Sequence, residues 1–146
     1  MPDFRFYHPI EVRYGDLDPQ GVVNNAKYLT YFEQARVHYW VQLGLFKADQ
    51  SFLEIGVIVA DIHIAYHAPL LWGMPAKVGV RIPKFGTKSL TVEQAVVNAG
   101  TDEVYAKGTV VLVAYDYVAR KSIQVPAAWR EAVGSFEVPP QADQNL

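Results

Sequence analysis

No cysteine occurs anywhere in this sequence of 146 residues. Disulfides, a thiol nucleophile and thiolate metal sites are thereby excluded. Excess charge is missing too, since 13 basic residues face 15 acidic ones for a net charge of -2. On that balance neither nucleic acid nor an anionic membrane is expected as a partner. Long apolar runs are also lacking. Even VIVADIHIAYHAPLLW is broken by Asp61, His63 and Pro69, so no membrane span is expected. The segment MPDFRFYHPIEVRY has no basic stretch leading into an apolar one, so a secretory leader is not expected and cytoplasmic residence is the default. There is no G-x-S-x-G, Walker loop or Rossmann glycine pattern, and GTKS around Gly86 lacks the rest of a phosphate loop. No cofactor is expected.

What is there describes an ordinary globular protein: 51% hydrophobic and 19% charged residues. The length suits one domain with a substantial core, taken as residues 1–138, followed by a polar tail, 139–146, expected to be disordered. Phe6 to Tyr14 alternates apolar and charged positions as a half-buried strand does. Asn25 to Leu43 reads as a long helix closed by Gly44, apolar around most of its circumference and so expected to be wrapped by other structure. Strand patterns follow around 58–67, 78–82, 89–98 and 104–117, with turns at 83–88 and 99–102. A short closing helix is expected from Pro126 to Val133. Short connections make neighbouring strands antiparallel, and one apolar helix against one such sheet is the simplest two-layer solution.

The richest stretch is Val12 to Arg36, VRYGDLDPQGVVNNAKYLTYFEQAR. Two carboxylates, Asp16 and Asp18, sit in a Pro/Gly-punctuated turn directly before the helix, and Asn24 and Asn25 supply N-cap chemistry. A helix start presents unpaired N–H groups and a positive dipole end, which suits a carbonyl oxygen that becomes negative under attack. A carboxylate beside such an end is the minimum apparatus for splitting an activated ester. Asp16 is expected to brace the turn, Tyr28 to pack, and Glu33 and Arg36 to pair along the helix. His8, His38, His63 and His67 show no metal-ligand spacing on one element, although Asp61, His63 and His67 can form a row on one strand face. That row suits a polar strip at a subunit interface better than zinc, and no metal is expected. Arg81, Lys84 and Lys88 gather near one hairpin, where carrier phosphates or plain solvent can face them.

The pattern D-x-D-x-x-G-V-V-N-N-x-x-Y followed by F-E-x-A-R resembles the signature of the 4-hydroxybenzoyl-CoA thioesterase-like acyl-CoA thioesterases, which have the hotdog fold. Val57 to Gly73, Lys88-Ser89-Leu90 and Val111 to Asp116 are similar to later segments of that family. The resemblance implies an α+β hotdog fold, a long central helix wrapped by a curved antiparallel five-stranded sheet. It also implies an acyl-CoA thioesterase in which Asp18 is the catalytic carboxylate, acting as nucleophile or general base. The backbone N–H of Asn25 would polarise the thioester carbonyl; many relatives carry Tyr or His there. Tyr28, Glu33, Lys84, Lys88 and Ser89 are the expected substrate-binding residues, and a homodimer or homotetramer (dimer of dimers) is the expected assembly. Tyr31, Phe32, Tyr39, Trp40, Tyr66 and Trp72 are aromatics able to line either an aromatic or an aliphatic acyl pocket. A non-catalytic acyl-CoA-binding hotdog module is the alternative, and a hotdog dehydratase or hydratase a weaker third.

Overall fold

A computed structural model describes residues 4–138; the expected tail after them lies outside the described residues. In chain order the elements are β1 (Phe6–Ile10), a 3-10 turn at Tyr14–Asp16, α1 (Lys27–Gln42), a second 3-10 turn at Phe52–Ile55, and β2 (Val57–Tyr66). Then come β3 (Ala76–Phe85), β4 (Ser89–Asn98), β5 (Val104–Asp116), β6 (Lys121–Ser122) and α2 (Ala127–Glu137). The sheet runs β1-β3-β4-β5-β2, antiparallel throughout, with the two-residue β6 added against β5. The five expected strands thus form the sheet path, and the sixth is an addition the sequence pattern did not reveal.

Helix α1 lies across one face of this sheet. Its buried residues are Tyr28, Tyr31, Phe32, Ala35, Arg36, Tyr39 and Trp40, and they meet alternate strand residues such as Val78, Val80, Leu90, Val92, Val96, Val110 and Leu112. Phe32 is fully buried. Burying a side chain of that size removes about 2–3 kcal/mol of apolar exposure, so α1 is held by packing more than by its caps. Helix α2 covers the far end, where Trp129 lies against Trp40 with ring centroids 5.3 Å apart and the Tyr39 hydroxyl donates to Glu137 Oε2 at 2.6 Å.

Strand β1 ends at Ile10, short of the expected Tyr14, which belongs to the 3-10 turn, and three further expectations need correction. Helix α1 begins at Lys27, with Ala26 as N-cap, two residues after the expected start at Asn25; Asn24 instead accepts the Ala26 N–H through its side chain. Strand β3 continues through Pro83 to Phe85 where a turn was expected. The pairing with β4 is irregular between Arg81 and Lys84, and an irregularity of this kind spares proline the ladder bond it cannot make. Third, Arg36 is not in a close ion pair with Glu33. Its buried guanidinium donates to Gln94 Oε1 at 3.0 Å, and Gln94 Nε2 donates to the Phe32 carbonyl at 2.9 Å. Burial pulls the Arg36 pKa down, while the charge of Glu33 pushes it back up from a distance.

Gln94 therefore serves two buried groups at once. Replacing it by Ala should strand both, at about 1–3 kcal/mol for each unsatisfied group. Denaturant unfolding of Gln94→Ala is expected to show a loss of about 2–6 kcal/mol for the two groups together, and a loss below about 0.5 kcal/mol, the size of a surface substitution, would discount the network.

Candidate active site

The turn before α1 is built by its own residues. Pro19 and Gly21 suit a type I turn begun by Asp18; the Gly21 N–H closes it on the Asp18 carbonyl at 3.0 Å, and Gly21 has φ +82. The Asp18 N–H bonds the Val22 carbonyl at 2.8 Å, and the Val23 N–H bonds the Leu70 carbonyl at 2.9 Å, tying the turn to the segment after β2. Asp16 braces this turn as expected. Its buried Oδ2 accepts the Arg13 N–H at 2.9 Å and the Tyr31 hydroxyl at 2.7 Å. Burial, followed by that bond to Asp16, raises the Tyr31 pKa far above the ordinary phenol range, so Tyr31 stays a donor.

Asp18 is half-buried, and its Oδ1 accepts the Gln20 N–H at 2.8 Å. Its other oxygen has no hydrogen-bond partner among the described residues. Asp18 and Asn25 line one groove of about 460 Å³ together with Val22, Val23, Tyr28, Tyr66, His67, Ala68 and Pro69. Around Asn25 the main chain is almost fully engaged. The Ala26 N–H goes to Asn24 Oδ1 at 2.9 Å, the Lys27 N–H to the Asn24 carbonyl at 2.9 Å, and the Asn25 carbonyl accepts the Tyr66 hydroxyl at 2.9 Å. The Asn25 N–H has no acceptor among the described residues. Asp18, with one unpartnered carboxylate oxygen, and Asn25, whose N–H has no acceptor, thus line one groove at the helix start.

Tyr28 is buried and packs edge-on against Tyr66 at 5.0 Å; burial raises its pKa. Glu33 is elsewhere. It is exposed and lines a larger, mainly apolar cavity of about 770 Å³ between α1, the second 3-10 turn and the start of β2, with Arg36, Trp40, Phe46 and Val59. Lys84, Lys88 and Ser89 are placed on the β3–β4 hairpin. Ser89 pairs with Val113 on β5, whereas Tyr66, at the groove, pairs with Ala106. Seven residues of strand separate those positions, about 24 Å. Within one protomer the hairpin is therefore not brought to the Asp18 groove.

Sequence reasoning gave Tyr66 only as one aromatic able to line a pocket, and His67 only as part of a polar row. Both line the groove, and their proximity to Asn25 depends on a contact spanning 41 positions in the chain. Of the other aromatics expected near a pocket, Tyr31, Phe32 and Tyr39 are core residues, Trp40 is buried and lines the larger cavity, and Trp72 is exposed. Asp61 and His63 do face one side of β2, opposite Val111 and Thr109, and His63 shares a cavity with His67, Lys107 and Glu93.

The sequence profile of the thioesterase-like superfamily matches residues 12–133. The acyl-CoA thioester hydrolase YbgC of Escherichia coli is 29% identical over 99 residues, covering 64% of this chain and 70% of that protein. A chloroplastic acyl-acyl carrier protein thioesterase of Arabidopsis thaliana is 29% identical over 135 residues, 90% of this chain and 70% of that protein. The protein YneP of Bacillus subtilis is 38% identical over 69 residues, which span only 50% of its length. Among solved structures, a thioesterase of Thermus thermophilus complexed with coenzyme A and Zn superposes with a TM-score of 0.83 at 35% identity, over 96% of this chain and 99% of that one. A 4-hydroxybenzoyl-CoA thioesterase complexed with 4-hydroxybenzoyl-CoA superposes at 0.78 with 18% identity, over 88% of this chain and 97% of that one. The fold is the hotdog fold.

Proposed function

The chain belongs to the thioesterase-like superfamily, and we propose that it hydrolyses acyl-CoA thioesters in the groove between Asp18 and Asn25. The observation that carries this reading is the pairing of a half-engaged carboxylate with an unpartnered amide in one groove. A thioester needs little more. Its thiolate leaves readily, so two tasks remain: supplying an attacking oxygen and holding the oxyanion. The Asn25 N–H, at the positive end of α1, takes the second task; one well-placed donor of this kind contributes about 3 kcal/mol of transition-state stabilisation.

Asp18 takes the first task by one of two routes. As nucleophile, its free oxygen bonds to the carbonyl carbon, the C–S bond breaks with its electron pair on sulfur, and water then cleaves the mixed anhydride. As general base, it accepts a proton from water while the water oxygen attacks. Both routes yield a free acid and a thiol. Turnover in heavy-oxygen water separates them, because only an anhydride attacked at the Asp18 carbon leaves label in that side chain.

The test of the function is a panel of acyl-CoA and acyl-carrier-protein thioesters with detection of free thiol. Release with acyl-CoA is expected. Binding of acyl-CoA without release favours the non-catalytic module and overturns the enzyme reading.

An oligomer belongs to the same proposal. Strand β2 ends the sheet and exposes Ile58, Val59, Ile62 and Tyr66. A ten-residue edge of this kind with apolar side chains invites strand pairing. Antiparallel pairing of two β2 strands would bring the Tyr66 end of one protomer toward the Val57 end of its partner. The groove of one copy would then adjoin the larger cavity and the lysine hairpin of the other, which is how Glu33, Lys84, Lys88 and Ser89 could reach a substrate. Ile62→Lys should shift the species to monomer in sedimentation and lower turnover at least tenfold, about 1.4 kcal/mol. A fully active monomer would refute the shared site.

A further inference from the structure

We infer that Tyr66 is a positioning residue for the oxyanion turn, holding the Asn25 amide in its reactive orientation from the end of the edge strand. The inference rests on the thioesterase reading of the groove and assigns Tyr66 a role in it. Three facts carry it. The Tyr66 hydroxyl donates to the Asn25 carbonyl at 2.9 Å, the one side-chain bond made to that residue's main chain among the described residues. The Tyr66 ring stands edge-on to Tyr28 at 5.0 Å, so the hydroxyl is aimed by packing against the first turn of α1. Yet Tyr66 is 46% exposed, more than core packing alone would leave it.

The main chain around Asn25 explains what the bond does. Asn24 is fixed on three sides: its N–H bonds the Asp16 carbonyl at 2.8 Å, its carbonyl accepts the Lys27 N–H, and its side chain accepts the Ala26 N–H. The peptide from Asn25 to Ala26 is fixed at the Ala26 N–H by Asn24 and at the Asn25 carbonyl by Tyr66. Remove the hydroxyl and that carbonyl loses its partner, so the peptide gains freedom to rotate. Rotation there changes ψ of Asn25, and with it the relation of the Asn25 N–H to the axis of α1. The Lys27 bond to the Asn24 carbonyl also polarises the peptide that carries the Asn25 N–H, strengthening it as a donor. Tyr66 keeps that polarised donor from drifting.

Strand β2 thereby reaches the reactive centre. The residue that ends the exposed edge is the one that pins the turn, and the next N–H, of His67, is fixed to the Tyr105 carbonyl at 2.7 Å. Tyr66 touches Asn25 and acts through it, so it is not counted among the reacting groups.

The experiment is Tyr66→Phe, which keeps the ring and removes only the hydroxyl. The expected result is a kcat lower by about tenfold with KM within about twofold, the effect of losing one hydrogen bond that matters mainly in the transition state. Affinity for a trifluoromethyl ketone analogue of acyl-CoA, which mimics the tetrahedral oxyanion, should fall in the same ratio, while affinity for coenzyme A stays unchanged. Amide exchange at Ala26, whose N–H is bonded to Asn24 Oδ1 and belongs to the peptide that Tyr66 pins, should accelerate in the variant. A variant with wild-type kcat and unaltered exchange at Ala26 overturns the inference, as does one that loses ketone and coenzyme A affinity equally. If the wild type releases no thiol, the enzyme reading fails instead, and the exchange at Ala26 still decides whether Tyr66 holds the turn.

Discussion

Asp18→Asn should lower turnover on the order of a thousandfold or more, about 4 kcal/mol of transition-state stabilisation, with the melting temperature within about 2 °C of wild type. The two halves of that expectation have separate causes. An amide at position 18 can neither attack a thioester nor take a proton from water, so both routes close together. Its oxygen can still accept the Gln20 N–H as Asp18 Oδ1 does, and the Asp18 main-chain bonds to Val22 and Gly21 do not involve the side chain. The turn therefore keeps its shape.

Asp16→Asn supplies the contrast. Its one oxygen, Oδ2, serves both the Arg13 N–H and the Tyr31 hydroxyl from a buried position, and an amide satisfies these less well than a carboxylate. That variant should lose stability first and activity second. Should Asp18→Asn retain near-normal turnover, or should its losses run parallel to those of Asp16→Asn, the catalytic assignment fails and the turn is merely a brace.

Much of this arrangement was legible in the sequence because its determinants are local. The spacing of Asp16, Asp18, Pro19 and Gly21 specifies a turn through side-chain and main-chain bonds that reach only a few residues. Strand alternation in 89–98 and 104–116 follows from one buried face, and those strands are formed close to where the pattern places them. What the sequence withheld is non-local. Gln94 partners Arg36 across 58 positions, and no helix-spacing rule can see that the cation has a neutral amide above it while Glu33, three residues away, is out in a cavity. The hairpin lysines carry the right charge for carrier phosphates, yet strand register sets them at the opposite end of the sheet from Asp18. Tyr66 had only its aromatic character to declare it, since a hydroxyl bond to a carbonyl 41 residues away leaves no periodic trace.

Gly108→Val should prevent the protein from accumulating in folded form, because the central helix rests on the space that this glycine leaves. Gly108 lies on β5 beneath α1, paired with Gln94 on one side and Ile64 on the other. A Cβ added there would stand 2.6 Å from the His63 carbonyl oxygen and 2.8 Å from the Phe32 ring. The first contact is with backbone, which can yield only by spreading β5 from β2; the second is with a fully buried ring that has nowhere to go. Gly108→Ala already meets both contacts and should cost about 3 kcal/mol, or about 10 °C in melting temperature for a chain of this size. Valine adds two methyl groups to the same gap.

A second substitution separates the two clashes. Phe32→Leu shortens the side chain above Gly108 and should return part of the stability lost by Gly108→Ala, while the His63 contact keeps the rest. Full rescue would locate the whole effect in the ring, and no rescue would locate it in the strand pair. Activity should follow the ring. Phe32 lies one turn from Tyr28 on α1, its carbonyl is held by Gln94, and lifting it tilts the helix start that carries the Asn25 amide. Gly108→Ala is therefore expected to lower kcat at temperatures where it remains folded, whereas a variant that only melts earlier with unchanged kcat would show that helix height above the sheet does not set the site.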